Sequence, residues 1–400
     1  MNIIITGATG TVGQLAIPQF MAMNCTLLIV GRDIPKLSQM YPDCDACTYE
    51  DLPVRGAGFD KLVHLAVANN DTPHTRAEYH DVNVTFLLQI AEMAKAAQIR
   101  KFINISSVHG LDPQNLSDYA ISKREASKAL SEMDGLSAET IYLPAVYGHF
   151  WAGKLSILNK MWRPAAKIAF LILAALKPTV HIDKLVAHIT ADKPVASSAE
   201  IILFDDQDNN PVYSVTTRLI DILFAVSVAL LLGWVLAIVW IAIRAGSPGP
   251  GLFVQTRVGK NGKNFKCYKF RTMQTGTKQA GTHEVSAASI TKIGIFLRKT
   301  KIDELPQIWN IFRNEISLIG PRPCLLNQEE LIQARQDLGV LNIKPGISGL
   351  GQINNIDMST PNKLAHIDKR YYALRSLLLD LKILIATVTG KGQGDKIKTG

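Results

Sequence analysis

A run of 22 residues with no charged side chain, "ILFAVSVALLLGWVLAIVWIAI" at 222–243, constrains this 400-residue chain more than any other feature. As a helix it is about 33 Å long, enough to cross the roughly 30 Å hydrocarbon core of a bilayer. Apolar residues occupy every helical face, whereas a helix on a soluble protein keeps one polar side. The segment, about 219–243 with its flanks, therefore reads as a membrane helix. It divides the chain into two halves, each long enough to bury its own core.

The two halves carry opposite charge. Residues 1–210 have a net charge of −4 and residues 211–400 of +13. A basic half beside an apolar segment points to anionic lipid or phosphate. Nucleic acid is not expected as a partner, because no zinc-finger, helix-turn-helix or RNA-binding signature occurs. Five cysteines and no secretory leader imply a reducing compartment. "CDAC" at 44–47 lacks a second ligand pair for zinc and reads as two ordinary thiols.

The chain opens with "NIIITGATGTVGQLAI", a short strand pattern, glycines at 7, 10 and 13, then a helical pattern. That order suits a strand, a tight turn and a helix whose N-terminus faces a pyrophosphate. Gly7 makes the turn, Gly10 lets backbone approach phosphate, and Gly13 permits close helix–strand packing. The second strand, "CTLLIVGRD", ends at Gly31 and Arg32, where NAD sites usually place an acid. A guanidinium there favours the 2′-phosphate of NADP(H), with NAD as the alternative.

Further segments follow in order: "FDKLVHLAV" (59–67), "DVNVTFLLQIAEMAKAA" (81–97), "KFINISSVHG" (101–110), "YAISK" (119–123) and "LPAVYG" (143–148). Together they resemble the extended short-chain dehydrogenase/reductase family, over about residues 1–150. The resemblance implies Tyr119 as acid/base, with Lys123 one helical turn on to lower the phenol pKa and bond the nicotinamide ribose. It implies Ser107, ahead of Ser106, as the residue that holds the substrate oxygen, and Ala66 as a cofactor contact. Family dehydratases carry Asp-Glu after the Ser/Thr; here Val108 and His109 follow, so dehydration is not expected. Only about 60 residues separate this region from the apolar run, so the substrate part looks trimmed. Within 151–177, "WRPAAKIAFLILAALK" is too short to span a bilayer; it suits either a bilayer surface or an ordinary buried helix. "FDDQDNNP" (204–211) is polar and turn-forming, which sets the expected domains at 1–210 and 211–400.

The second half contains "LRKTKIDELPQIWN" (297–310), an acid pair, Asp303-Glu304, just after Arg298, Lys299 and Lys301. A phosphate ester is electrophilic at phosphorus, and a carboxylate attacks it only if cations neutralise its charge. The sequence predicts Asp303 in the first turn of a helix capped by Thr300, where the helix end keeps it ionised and draws phosphate. Arg298 and Arg322 suit phosphate clamps. Lys269 and Arg271 of "KFRTM" are further candidates for the anionic substrate, and Mg²⁺ bound by Asp303 and Glu304 would bridge the diphosphate.

Four blocks, at 247–273, 296–323, 344–354 and 368–384, resemble the bacterial sugar transferase family, the monotopic polyprenol-phosphate phosphoglycosyl transferases. The resemblance covers nearly all of 211–390. It implies Asp303 as nucleophile, displacing UMP from a UDP-sugar to give an aspartyl-phosphosugar that polyprenol phosphate then attacks, with Glu304 assisting as metal ligand or base. It also implies a re-entrant membrane helix broken near its middle by Ser-Pro; here only Gly233 stands in that region.

The expected fold class is α/β. A Rossmann-like doubly wound parallel sheet comes first, then a membrane-embedded, re-entrant helix with a small α/β monotopic transferase domain. The expected protein is a bifunctional enzyme on the cytoplasmic face of a bacterial inner membrane, with room for a homodimer. Its N-terminal domain is read as an NADPH-dependent 4-keto-sugar reductase. A C4 epimerase with NAD and a non-catalytic scaffold are the alternatives.

Overall fold

The structure, a computed structural model, describes residues 1–70, 72–151, 153–191, 200–277 and 289–390. The chain divides into two compact units. One comprises Met1–Phe170 with Pro178–Asp205, the other Leu171–Lys177 with Asp206–Gly400.

The first unit is built on seven parallel strands. In chain order these are β1 (Asn2–Thr6), β2 (Thr26–Val30), β3 (Asp45–Cys47), β4 (Lys61–His64), β5 (Lys101–Ser107), β6 (Ala138–Leu143) and, after two short strands β7 (Ala145–Tyr147) and β8 (Thr179–His181), β9 (Ile201–Ile202). The sheet order is β3-β2-β1-β4-β5-β6-β9. This is the Rossmann-like arrangement, in which the order reverses across β1 and β4. β1 pairs in parallel with β2 (Ile3 beside Leu27) and with β4 (Ile3 beside Lys61). The strands read as near-continuous apolar runs because both faces are covered. Ile3, Ile5, Ile29 and Val63 point into one core, Ile4, Leu28, Leu62 and Phe102 into the other.

The second unit contains the long apolar segment, and here one expectation is corrected. A single helix runs from Pro211 to Gly246, 36 residues, straight through Gly233. Without a proline no i→i−4 hydrogen bond is forced to break, and Gly233 has open space around its missing Cβ, so nothing kinks the helix there. The expected mid-helix break is absent. Its most apolar window has a mean hydropathy of 2.8 and is only 11% buried, unlike the core helix of a soluble domain.

This long helix packs on its own unit near both ends. Asp221 accepts from Leu318 N at 2.7 Å and from Ser317 Oγ at 3.0 and 2.9 Å. Ala225 joins Phe265, Cys267, Ile311 and Ile316, and Ile243 joins Phe270 and Leu297. The rest of the unit supplies an antiparallel hairpin, β10 (Leu252–Val258) and β11 (Asn264–Phe270), and a parallel pair, β12 (Ser317–Ile319) and β13 (Gly346–Ser348). Helices Lys292–Thr300, Glu329–Asp337, Pro361–Leu374 and Leu377–Val388 complete it.

Candidate active sites

In the second unit the acid pair does not open an α-helix. The helix Lys292–Thr300 ends at Thr300, whose hydroxyl donates back to Phe296 O and Leu297 O. Lys301 then takes a left-handed turn (φ 56°), and Asp303 and Glu304 lie in a 3₁₀ turn, Ile302–Gln307. Thr300 is therefore a terminator of the preceding helix and not an N-cap, because its hydroxyl finds helical carbonyls first.

The turn is set against β11 by a fully buried side chain within the same short stretch. Asn310 donates to Lys266 O at 2.6 Å and to Glu315 Oε2 at 2.7 Å, and accepts from Tyr268 N at 3.2 Å. That brings Lys269, at the end of β11, to Glu304. Lys269 Nζ lies 2.6 Å from Glu304 Oε1, and Arg322 Nη2 lies 3.4 Å from the same oxygen. Burial alone would raise the Glu304 carboxyl, but Lys269 and then Arg322 outweigh it and hold the group at about 2. Asp303 goes the other way. Burial, then the charge of Glu304, pushes its carboxyl up to about 6 against the opposing pull of Lys269, Arg298 and Arg322. The short turn does not offset that burial. Asp303 has no side-chain hydrogen bond among the described residues, so its oxygens are open to a ligand.

Arg298 reaches the pair electrostatically while its Nε donates to Thr272 Oγ1 at 3.0 Å. Arg271 is not brought there. Its guanidinium donates to Ile243 O (3.4 Å), Ser247 O (2.9 Å) and Pro248 O (2.5 Å), capping the end of the long helix. A helix C-terminus leaves carbonyls without partners, and a cation next to it in the fold is captured by them.

Two further arginines were not singled out by sequence. Arg335, fully buried, pairs with Asp368 at 2.6 Å and donates to Arg322 O at 2.7 Å. Arg257 donates to Pro323 O at 2.6 Å. Together they pin the two carbonyls that carry Arg322 to Glu304. Lys269, Glu304, Gln307, Arg322, Arg257 and Cys267 line a small cleft.

In the first unit, Gly7 has φ +71°, and a Cβ there would lie 2.5 Å from Ala66 N, so the turn after β1 needs glycine. This is also what places Ala66 beside the turn. Gly10 precedes the helix Thr11–Ala22, and a Cβ on Gly13 would meet Ala8 O at 2.7 Å, so its close packing is against the turn itself. Arg32 follows β2, exposed and without a hydrogen bond among the described residues.

Tyr119 and Lys123 share the helix Asp118–Ser131, with the Lys123 ammonium 5.6 Å from the Tyr119 ring centroid. Burial pushes Lys123 down to about 7. Its Nζ donates to Asn83 Oδ1 at 3.3 Å, and Asn83 Nδ2 donates to Ser122 Oγ and Ala68 O. Asn83 lies in a π-helical turn, Asp81–Thr85. Such turns often mark functional positions, yet nothing in periodicity announces one. Ser107 Oγ sits 2.9 Å from His109 Nδ1, and the His109 ring is 5.9 Å from that of Tyr119. Ser106 is buried with its hydroxyl unpartnered among the described residues.

The fold and these sites define two classes of domain in one chain, a Rossmann-like sheet domain and a domain with a long apolar helix and a carboxylate and cation centre. Residues 212–392 match the family model described as bacterial sugar transferase, and residues 3–174 match the NAD dependent epimerase/dehydratase family. The chain belongs to the bacterial sugar transferase family. It is 36% identical over 174 residues to the sugar transferase EpsL of Bacillus subtilis (strain 168), covering 43% of this chain and 84% of that one. It is 36% identical over 177 residues to UDP-glucose:undecaprenyl-phosphate glucose-1-phosphate transferase of Escherichia coli (strain K12), covering 42% and 38%. The chain spans less than half the length of most curated relatives it first matches. Among solved structures, UDP-N-acetylglucosamine 4-epimerase from Bacillus cereus is similar at 18% identity and a TM-score of 0.35, covering 47% of this chain and 72% of that one.

Proposed function

We propose that the chain is a bifunctional membrane enzyme whose second unit transfers a phosphosugar from a UDP-sugar to polyprenol phosphate. The observation that carries this is the contrast at the acid pair. Glu304 is neutralised by Lys269 and Arg322, while Asp303 next to it has no side-chain hydrogen-bond partner among the described residues. An ionised carboxylate that is poorly solvated and faces cations is a nucleophile for phosphorus. In the first step an Asp303 oxygen bonds the phosphorus bearing the sugar, the bond from that phosphorus to the UMP oxygen breaks, and UMP leaves with the electron pair. In the second step a phosphate oxygen of the polyprenol carrier attacks the same phosphorus and the Asp303 carboxylate departs. Arg322 and Arg298 orient the diphosphate and hold its charge throughout.

Mg²⁺ fits this centre in part. The two adjacent carboxylates are hard oxygen donors, and Asp303 is open. No group of three or more His, Cys, Asp or Glu suited to a metal occurs among the described residues, so diphosphate and water would complete the coordination. Bound by Asp303 and Glu304, the ion would neutralise diphosphate oxygens.

The long helix supports a monotopic placement, and the soluble UDP-sugar donor of the proposed reaction puts it at the cytoplasmic face of an inner membrane. Asp221 and Ile243 are about 33 Å apart along the helix axis, yet both pack on the same unit. A crossing helix would put those contacts on opposite sides of a core roughly 30 Å thick.

For the first unit the proposed activity is NADPH-dependent reduction of a 4-keto sugar. Tyr119, Lys123, Asn83 and Ser107 form the proton-handling group, and the exposed Arg32 suits a 2′-phosphate. The glycine turn after β1 leads straight into the helix Thr11–Ala22, the strand–turn–helix order that a dinucleotide site uses. Bound NADPH would supply hydride to the ketone carbon while Tyr119 supplies the proton to its oxygen.

Asp303→Asn is the deciding experiment: UMP release from a UDP-sugar in the presence of polyprenol phosphate should fall at least a thousandfold, about 4 kcal/mol of barrier. Release at the parental rate would end the proposal. For the first unit, purified protein given a UDP-4-keto-6-deoxy sugar should oxidise NADPH, and the Tyr119→Phe variant should not. Turnover without NADPH consumption would favour the C4 epimerase.

A further inference from the structure

The helix Arg163–Leu176 has no part in either proposed reaction, and its side chains are distributed the wrong way round for a core helix. Its inward positions hold mostly small residues, Ala166, Ala174 and Ala175, with Phe170. Its bulky residues face out: Trp162, just before the helix, is 77% exposed, Ile168 60% and Ile172 45%. Helices that serve only to fill a core turn their large apolar side chains inward.

The charge around it is one-sided. From 140 to 182 there is no Asp or Glu, and five Lys or Arg fall in that interval. Lys160 and Arg163 at one end, Lys167 within and Lys177 at the other end are all exposed. An apolar face with indole at its edge and cations at both ends is the composition of a helix lying in a headgroup layer. At 14 residues the helix is about 21 Å long, too short to cross.

A third observation says which surface it meets. Leu171 O accepts from Asn210 Nδ2 at 2.9 Å, and Ala174 O accepts from Gln207 Nε2 at 2.6 Å. Asn210 is the N-cap of the long apolar helix, its Oδ1 accepting from Val212 N and Tyr213 N. The last half of the short helix is thus fastened to the first residues of the membrane segment, which puts its exposed apolar stripe next to the bilayer. The geometry points to the Arg163–Leu176 helix as a second membrane contact, seated in the headgroups of an anionic bilayer. This rests on the reading that the long helix is membrane-embedded.

The test uses the full chain in nanodiscs, with nitroxide labels on single cysteines in a Cys25→Ser, Cys44→Ser background. Leu230→Cys, on the exposed face of the long helix, reports whether the chain is in the bilayer at all. Ile168→Cys reports the short helix, and Val54→Cys, 81% exposed, is the aqueous reference. In discs rich in phosphatidylglycerol, the Ile168 label should relax at least threefold more with oxygen relative to a nickel chelate than the Val54 label does. Lys167→Glu with Arg163→Glu, or discs of phosphatidylcholine alone, should bring that ratio back towards the reference. An Ile168 label that is aqueous while the Leu230 label is embedded overturns this inference alone. One shielded from both reagents is covered by protein and overturns it too. An aqueous Leu230 label would instead fail the membrane reading beneath it.

Discussion

With Asp303 pushed up to about 6 and Glu304 held at about 2, a falling pH protonates the first carboxyl long before the second. If Asp303 attacks as the anion, kcat/KM for UMP release should fall about tenfold per pH unit below about 6, with Glu304 still charged. A profile that stays flat down to about pH 5 would contradict that assignment. The same shift has an opposite consequence for stability. A carboxyl whose pKa is raised on folding is destabilising once ionised, so the cost appears as pH rises from the ordinary Asp value towards 6 and is complete at neutral pH. Asp303→Asn should therefore raise the unfolding free energy at pH 7, by an amount on the order of 1–3 kcal/mol, while abolishing UMP release. Glu304, depressed, stabilises above its unfolded value and loses that contribution as pH falls towards 2, so Glu304→Gln should lower the midpoint at neutral pH. Lys269, Arg322 and the acid pair could be gathered from sequence because their motifs adjoin or recur in a familiar order. Arg271 was misplaced by the same logic: it sits two residues from Lys269 but just past the end of β11, where the chain leaves the strand and its guanidinium meets the carbonyls at the end of the long helix. Asn83 and Asn310 were missed because a buried amide's role depends on which backbone groups the fold brings to it.

Asp303 was expected in the first turn of a helix capped by Thr300; instead Thr300 ends the helix before it, and a left-handed lysine leads into a 3₁₀ turn that carries Asp303. Capping signals show where a helix is able to begin; they do not show that the hydroxyl is already engaged by the turn behind it. The long helix erred the other way, since the resemblance implied a break that its own residues do not impose. The elements around Arg322 are held by charge buried far from water. Arg335 is paired with Asp368, both 2% exposed, and grips Arg322 O. Removing only one partner strands a charge, so Arg335→Met should destabilise by roughly 3–5 kcal/mol. Replacing both, Arg335→Met with Asp368→Leu, removes the stranded charge and should recover most of that loss. The double variant still lacks the donor to Arg322 O, so its KM for the UDP-sugar should remain raised. Recovery of stability together with parental KM would mean that Arg335 is a core residue and does not position Arg322.

At the scale of the whole chain, the two-part organisation was visible in the change of charge and in the glycine pattern ahead of a long apolar run, because each follows from composition and local periodicity. The way the long apolar helix meets its own unit was not, since it depends on single polar contacts such as Asp221 with Leu318 N, 97 residues apart. That contact decides topology. With Asp221 and Ile243 packed on the same unit, flanking sequence before and after the long helix should lie on one side of the bilayer. Val54→Cys, before the helix, and Lys263→Cys, in the exposed turn between β10 and β11, can be probed in sealed right-side-out and inverted vesicles with a membrane-impermeant maleimide. Both sites should react in inverted vesicles and be protected in right-side-out ones, becoming reactive there only after detergent. If the two sites show opposite sidedness, the long helix crosses, and the contacts at its two ends cannot both exist in the membrane.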